Sequence, residues 1–123
     1  MTIRQSAEDY LESILRLREE KGYARSIDIA MSLGITKPSV SVAMKRLREN
    51  GYITMDESNY ITLTPAGSEI ATRIYHRHKV LTQFFVSLGV DADTAQDDAC
   101  RVEHVISEES FKAIDRYTSS LKQ

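Results

Sequence analysis

A mostly α-helical fold with one small β-hairpin is what this sequence predicts. Three observations predict it. Apolar residues recur at helical spacing in six separate segments. A single pair of short β-prone runs flanks the polar turn Asp56–Asn59. Glycines at 22, 34, 51 and 89 stand just beyond periodic runs, where helices stop.

The first helix is expected over 6–21, capped by Ser6, with Tyr10, Leu11, Ile14, Leu15 and Leu17 as its apolar stripe and Gly22 as its stop. The second spans 26–33, with Ile27, Ile29, Ala30 and Leu33 apolar. Gly34-Ile35-Thr36 makes a tight turn into a third helix over 37–50. Pro38 sits in its first turn, where the missing N–H costs nothing. Val40, Ala43, Met44 and Leu47 form its buried face. Residues 52–55 and 60–64 read as two strands of a hairpin. Thr64-Pro65 then opens a long helix to about Leu88, and two shorter helices follow near 93–106 and 108–121.

Helix, helix, turn, helix and hairpin is the winged helix-turn-helix pattern. The expected division is residues 1–72 as a winged helix-turn-helix domain and 73–123 as an all-helical domain, with the long helix 65–88 bridging the two. The helical part is too small to stand alone, and its apolar faces are expected to pack on the first domain and on a second copy of the chain.

With 123 residues and a mass of 14.0 kDa the chain can bury a modest core. It holds no apolar run of about 18 residues and no apolar leader core near Met1, so a soluble, cytoplasmic protein without membrane contact is expected. The single cysteine, Cys100, fits a reducing compartment. No phosphate loop, nucleophile elbow or Ser/His/Asp signal is present, so neither catalysis nor a small-molecule substrate is indicated. The net charge of −2 weighs against nucleic acid, but its distribution matters more. Lys37, Lys45, Arg46 and Arg48 cluster on the third helix, while acidic residues crowd the last third.

A helix-turn-helix puts its second helix into the major groove, N-terminus first. Here that helix begins Thr36-Lys37-Pro38-Ser39-Val40-Ser41. Thr36, Lys37, Ser39, Ser41, Lys45 and Arg46 are the candidate contacts. The small Ser side chains allow close approach, and the cations meet phosphate. The hairpin turn carries Asp56 and Glu57, so the wing is expected to lie beside the DNA backbone or touch it weakly.

Cys100-Arg-Val-Glu103-His104 puts a thiol, a carboxylate and an imidazole at i, i+3 and i+4, on one face of a helix. Asp9 and Glu12 share a face of the first helix, and His78 lies on the long one. If these helices converge, six ligand-type side chains meet. Carboxylates suit Mn²⁺ and Fe²⁺, and thiolate favours Fe²⁺, Co²⁺ or Zn²⁺. Each residue also has an ordinary role: a capping or solvated carboxylate, a small buried thiol, a surface imidazole. His76 is given that ordinary role, because it lies about 160° around the helix from His78.

At this point the chain resembles the diphtheria toxin repressor and manganese-transport regulator family of metal-activated repressors. The resemblance rests on Ala7-Glu-Asp-Tyr-Leu-Glu12, Leu63-Thr-Pro-Ala-Gly67, Arg77-His78 and Asp98-Ala-Cys-Arg-Val-Glu-His-Val-Ile-Ser107. It implies a winged helix-turn-helix followed by a dimerisation domain, in the form that lacks the SH3-like domain of longer members. It further implies Mn²⁺ or Fe²⁺ binding, homodimers, and repression of metal-uptake genes at palindromic double-stranded operators. Carried over by residue, one ion takes Glu12, His78, Glu103 and the carbonyl of Cys100; a second takes Asp9, Cys100, Glu103 and His104. The match is a hybrid. The iron branch has Met where this chain has Asp9, His at Gln96 and Glu at Thr82, whereas the manganese branch has Glu at Cys100. The expected mechanism ties the first helix to the dimerisation helices when metal binds. The alternative is a metal-independent dimeric winged-helix regulator that answers another ligand.

Overall fold

The structure is a computed structural model that describes residues 5–121. It divides into two compact units, one ending at Thr72 and one beginning at Arg73. The outermost residues of the two expected domains, 1–4 and 122–123, lie outside the described residues.

The first unit holds α1 (Gln5–Lys21), α2 (Ser26–Leu33), α3 (Lys37–Glu49), the strands β1 (Ile53–Met55) and β2 (Ile61–Leu63), and the start of α4 (Pro65–Ser87). This is the expected winged helix-turn-helix. The strands pair antiparallel, with Thr54 opposite Thr62. Leu11, Ile14, Ile29, Val40, Met44, Ile53, Ile61 and Ala71 form one buried cluster. One residue from every third or fourth position of each helix enters it, which is why these amphipathic segments fold as helices at all. Ser6 lies inside α1 instead of capping it.

Two side chains explain how the wing is held. Arg18 Nη1 donates to the carbonyl of Ile61 at 3.0 Å, tying β2 to α1. Asp56 Oδ1 accepts from the backbone N–H of Ser58 and of Tyr60, both at 2.9 Å. The acidic wing residue is therefore the organiser of its own turn, and Asn59 completes it at φ 65°.

The entry to α4 is tight. Thr64 Oγ1 donates to the carbonyl of Gly51 at 2.6 Å and accepts from the Gly67 N–H at 3.2 Å. The Thr64 N–H bonds the Tyr52 carbonyl at 3.0 Å. A Cβ at Gly67 would collide with that same carbonyl oxygen.

The second unit holds the rest of α4, α5 (Ala92–Val102) and α6 (Glu108–Ser120) around Val80, Leu81, Ala99 and Phe111. Asp91 caps α5 and Ser107 caps α6. α5 stops at Val102, four residues short of the expected end, and residues 103–106 form a turn. The carbonyls of Glu103 and Ile106 accept from the side chain of Arg77, which ties this turn to α4. Val86, Leu88, Val105, Tyr117 and Leu121 are left exposed. Among the described residues no helix is long and apolar enough to cross a membrane.

Gly67→Ala gives a sign test. In an ordinary helix this change stabilises by about 1 kcal/mol. Here the collision with Tyr52 makes it destabilising by about 2 kcal/mol. Urea unfolding of the variant beside the parent checks the sign.

Candidate metal centre

Residues 70–81 of α4 carry an apolar stripe of Ile70, Ala71, Ile74 and Leu81. Arg77 and His78 fall within that stripe, and both are buried. A buried cation in a helix stripe needs partners. His78 finds them on the segment that ends α5. Its Nδ1 donates to Glu103 Oε2 at 3.0 Å and lies 3.9 Å from Cys100 Sγ. Cys100 and Glu103 point the same way because they are three apart: Glu103 is the C-cap residue of α5, still in right-handed helical conformation, with its N–H on the Ala99 carbonyl.

Glu103 is wholly buried. Its second oxygen, Oε1, sits 3.4 Å from Nε2 of His104 and accepts no hydrogen bond among the described residues. A buried carboxylate left in this way is expensive in a protein interior. The Cys100 thiol and the Glu103 carboxylate together push the His78 imidazole up to about 9. One proton, on Nδ1, is what holds this trio together.

One ligand atom from each of His78, Cys100 and Glu103 lies within 4.8 Å of the other two. That is the spacing of donors around a single ion, and an ion there would take the place of the His78 proton. Imidazole, thiolate and carboxylate together suit a divalent transition metal and fit poorly with Ca²⁺ or Mg²⁺. The residues present therefore fit a metal. Cys100 is exposed whereas Glu103 and His78 are buried, so the thiol stands at the rim.

The other expected ligands are placed as follows. His104 lies in the turn just past α5, not on the helix itself, and faces Glu103. Asp9 and Glu12 lie on α1 in the first unit, Asp9 half-buried and Glu12 buried. His76, set apart by its position on the helix, bonds Asp115 at 3.1 Å and packs edge-on against Phe111.

On α3, Thr36, Lys37, Ser39, Ser41, Lys45 and Arg46 are all exposed. Thr36 is more than a surface hydroxyl. It caps α3, accepting from the Ser39 N–H at 3.3 Å and donating to Ser39 Oγ at 2.9 Å. Three of these residues and Arg48 make an α3 surface basic, with one acid, Glu49, at its far end.

Arg77 carries a role that residue types alone did not show. Its Nη1 donates to the carbonyls of Glu103 (3.2 Å) and Ile106 (3.1 Å), and its Nη2 donates to Glu108 Oε2 at 2.7 Å. The guanidinium holds the Glu108 carboxyl below the usual carboxylate range. The signal was available: a charged residue on the apolar face of a helix, beside a candidate ligand.

Residues 2–59 match the family described as iron dependent repressor, N-terminal DNA binding domain. Residues 64–123 match iron dependent repressor, metal binding and dimerisation domain. The HTH-type transcriptional regulator MntR of Bacillus pumilus is 40% identical over 111 residues, covering 90% of this chain and 75% of that protein. The transcriptional regulator MntR of Salmonella typhimurium is 36% identical over 115 residues, covering 94% and 73%. Among solved structures, a manganese-dependent transcriptional repressor in complex with manganese aligns at TM-score 0.82 and 29% identity, over 92% of this chain and 52% of that one. IdeR of T. acidophilum aligns at TM-score 0.80 and 26% identity, over 97% of this chain and 55% of that one. The chain thus spans about half the length of those solved structures.

The raised His78 value sets a pH dependence. An imidazolium cannot ligate, so below about 9 a metal must displace this proton. Apparent affinity should rise about tenfold per pH unit between pH 7 and 8. The metal-free fold carries the opposite sign. Stability from the raised imidazole is fully present below pH 6.5 and is lost as pH rises through about 9. Calorimetric metal titration in buffers of different ionisation enthalpy counts the protons released; an affinity flat in pH would exclude His78 as a ligand.

Proposed function

The chain belongs to the iron-dependent repressor family of metal-dependent transcriptional regulators, and from that membership we propose that it is a repressor activated by Mn²⁺ or Fe²⁺ that binds palindromic operator DNA as a homodimer and controls metal-uptake genes. The family consists of repressors and not enzymes. One observation carries the reading: the convergence of His78, Cys100 and Glu103 within 4.8 Å around a buried carboxylate. We assign DNA binding to residues 1–72 and metal binding and dimerisation to 73–123. Work on chromosomal DNA puts the protein in the cytoplasm.

His78, Cys100, Glu103 and His104 would hold metal in the second domain, and the sequence resemblance adds Asp9 and Glu12 of α1, for up to two ions per chain. A bound divalent ion supplies positive charge that carboxylates and a thiolate otherwise lack. Because Asp9 and Glu12 belong to the DNA-binding domain and the others do not, metal and operator affinities are thermodynamically linked. Cys100 brings a soft donor where the manganese branch has a carboxylate, which shifts preference toward Fe²⁺, Co²⁺ or Zn²⁺. The exposed Val86, Leu88, Val105, Tyr117 and Leu121 supply apolar surface for a second copy.

On DNA, α3 enters the major groove N-terminus first. Thr36 fixes Ser39, Ser41 offers a short hydroxyl for close approach, and Lys37, Lys45 and Arg46 meet phosphate.

The decisive measurement is an anaerobic operator titration with Mn²⁺, Fe²⁺, Co²⁺ and Zn²⁺ at fixed salt, on duplexes selected from a random pool. The cognate ion should tighten binding by about 10- to 100-fold, and chelator should reverse it. Operator affinity indifferent to chelator, or untouched by Glu103→Ala, would overturn metal activation and favour a metal-independent regulator. Lys45→Ala and Arg46→Ala should each reduce the slope of log affinity against log salt by about one.

A further inference from the structure

We propose that Arg77 is a positioning residue of the metal centre, holding the turn that presents Glu103 and His104, with Glu108 as its counter-ion. The proposal rests on the metal-binding role assigned to His78, Cys100 and Glu103.

Glu103 is the C-cap of α5, its N–H still on the Ala99 carbonyl, and His104 lies beyond it, so the helix ladder alone does not fix the far side of this turn. Arg77 does. One nitrogen of its guanidinium donates to the carbonyl of Glu103 itself and to that of Ile106, three residues on. The two bonds bracket the turn that contains both ligand-type side chains. The other nitrogen reaches Glu108 in the first turn of α6. The ring of Phe111 lies against the guanidinium, 5.3 Å from its carbon. A single side chain thus joins α4, the end of α5 and the start of α6.

The choice of arginine follows from these bonds. Its planar fork serves two carbonyls and a carboxylate at once, and lysine has no such fork. Arg77 is buried, whereas Glu108 is mostly exposed on the other side of the bond. Glu108 matters because an uncompensated buried cation near a divalent ion would repel it. Arg77 and His78 are neighbours on α4. One offers a ligand atom, and the other sets the backbone from which a second ligand hangs.

Groups that orient ligands from behind typically change metal affinity about 10- to 100-fold when removed. Co²⁺ is a suitable probe, because its visible bands report ligand geometry and a thiolate ligand adds a near-ultraviolet charge-transfer band. Arg77→Met and Arg77→Lys should each weaken Co²⁺ binding by about 10-fold or more and alter the visible bands. Glu108→Gln should weaken it less, with the charge-transfer band kept. Urea unfolding without metal and far-ultraviolet dichroism report the fold separately. If Arg77→Met does not fold, Arg77→Lys and Glu108→Gln carry the test. Wild-type affinity and spectrum in the Arg77 variants would overturn the proposal and leave Arg77 a merely structural tie. No Co²⁺ binding by the parent chain would overturn the metal assignment beneath it.

Discussion

The second unit is organised around one carboxylate shut off from solvent. Glu103 is fully buried at the end of α5, where a charged group costs several kcal/mol unless other charges face it. His78 and His104 lie at its two oxygens, and Arg77 holds its backbone. Two pairs of neighbours supply these groups: Arg77 and His78 of α4, and Glu103 and His104 at the end of α5. The arrangement needs α4 to place two cation-forming side chains in its apolar stripe, which no helix built for packing alone would carry. The small apolar cluster of Val80, Leu81, Ala99 and Phe111 then fixes the helices on which these groups sit.

The first unit follows a different rule. Its core cluster is apolar, and several of its polar side chains act on nearby backbone groups, while Arg18 reaches across to β2. Asp56 closes the wing turn, Thr36 starts α3, and Thr64 starts α4. Such caps leave α3 rigid at its N-terminus, with Ser39 and Ser41 displayed on a framework that does not have to reorganise. A capped N-terminus on α3 and charge stress in the second unit suit the proposed reading and sensing roles. A ligand can shift a population only where the two states differ in free energy, and the buried carboxylate is where such a difference can be stored.

Much of this was legible in the residues. Helical periodicity with glycine stops located all six helices, and α2 has the bounds expected from pattern alone. The ligand-type spacing at 100–104, with His78 on the long helix, included the trio that the fold brings together. What was not legible depends on distant partners. The end of α5 was expected near 106 because the apolar pattern continues, but residues 103–106 turn instead, and Arg77, 26 residues before Glu103, bonds that turn through its carbonyls. Asp56 was weighed as a charge against DNA, whereas the fold uses it as a backbone acceptor. Ser6 looked like a cap because it precedes the stripe, yet α1 already includes it. In each case a local propensity was right about chemistry and wrong about the partner, since propensity carries no information on tertiary contacts.

On the proposed metal-sensing role, the proton on His78 also bears on how the site keeps its affinity within a useful range. Three donors already lie within 4.8 Å of one another, a spacing that suits one transition-metal ion. With the imidazole raised to about 9, a proton occupies the site at neutral pH and must be expelled. At pH 7 that competition lowers apparent affinity by about 100-fold. The same proton neutralises part of the charge around Glu103, so the metal-free fold is not left with a bare buried anion. Stability without metal and restraint in binding it therefore come from one hydrogen bond. Replacing His78 with a group that never protonates, while keeping a donor atom, would remove both together: tighter metal, weaker metal-free fold. A design that raised affinity by adding carboxylates would lack this compensation, because each new anion would need a cation of its own in the metal-free state.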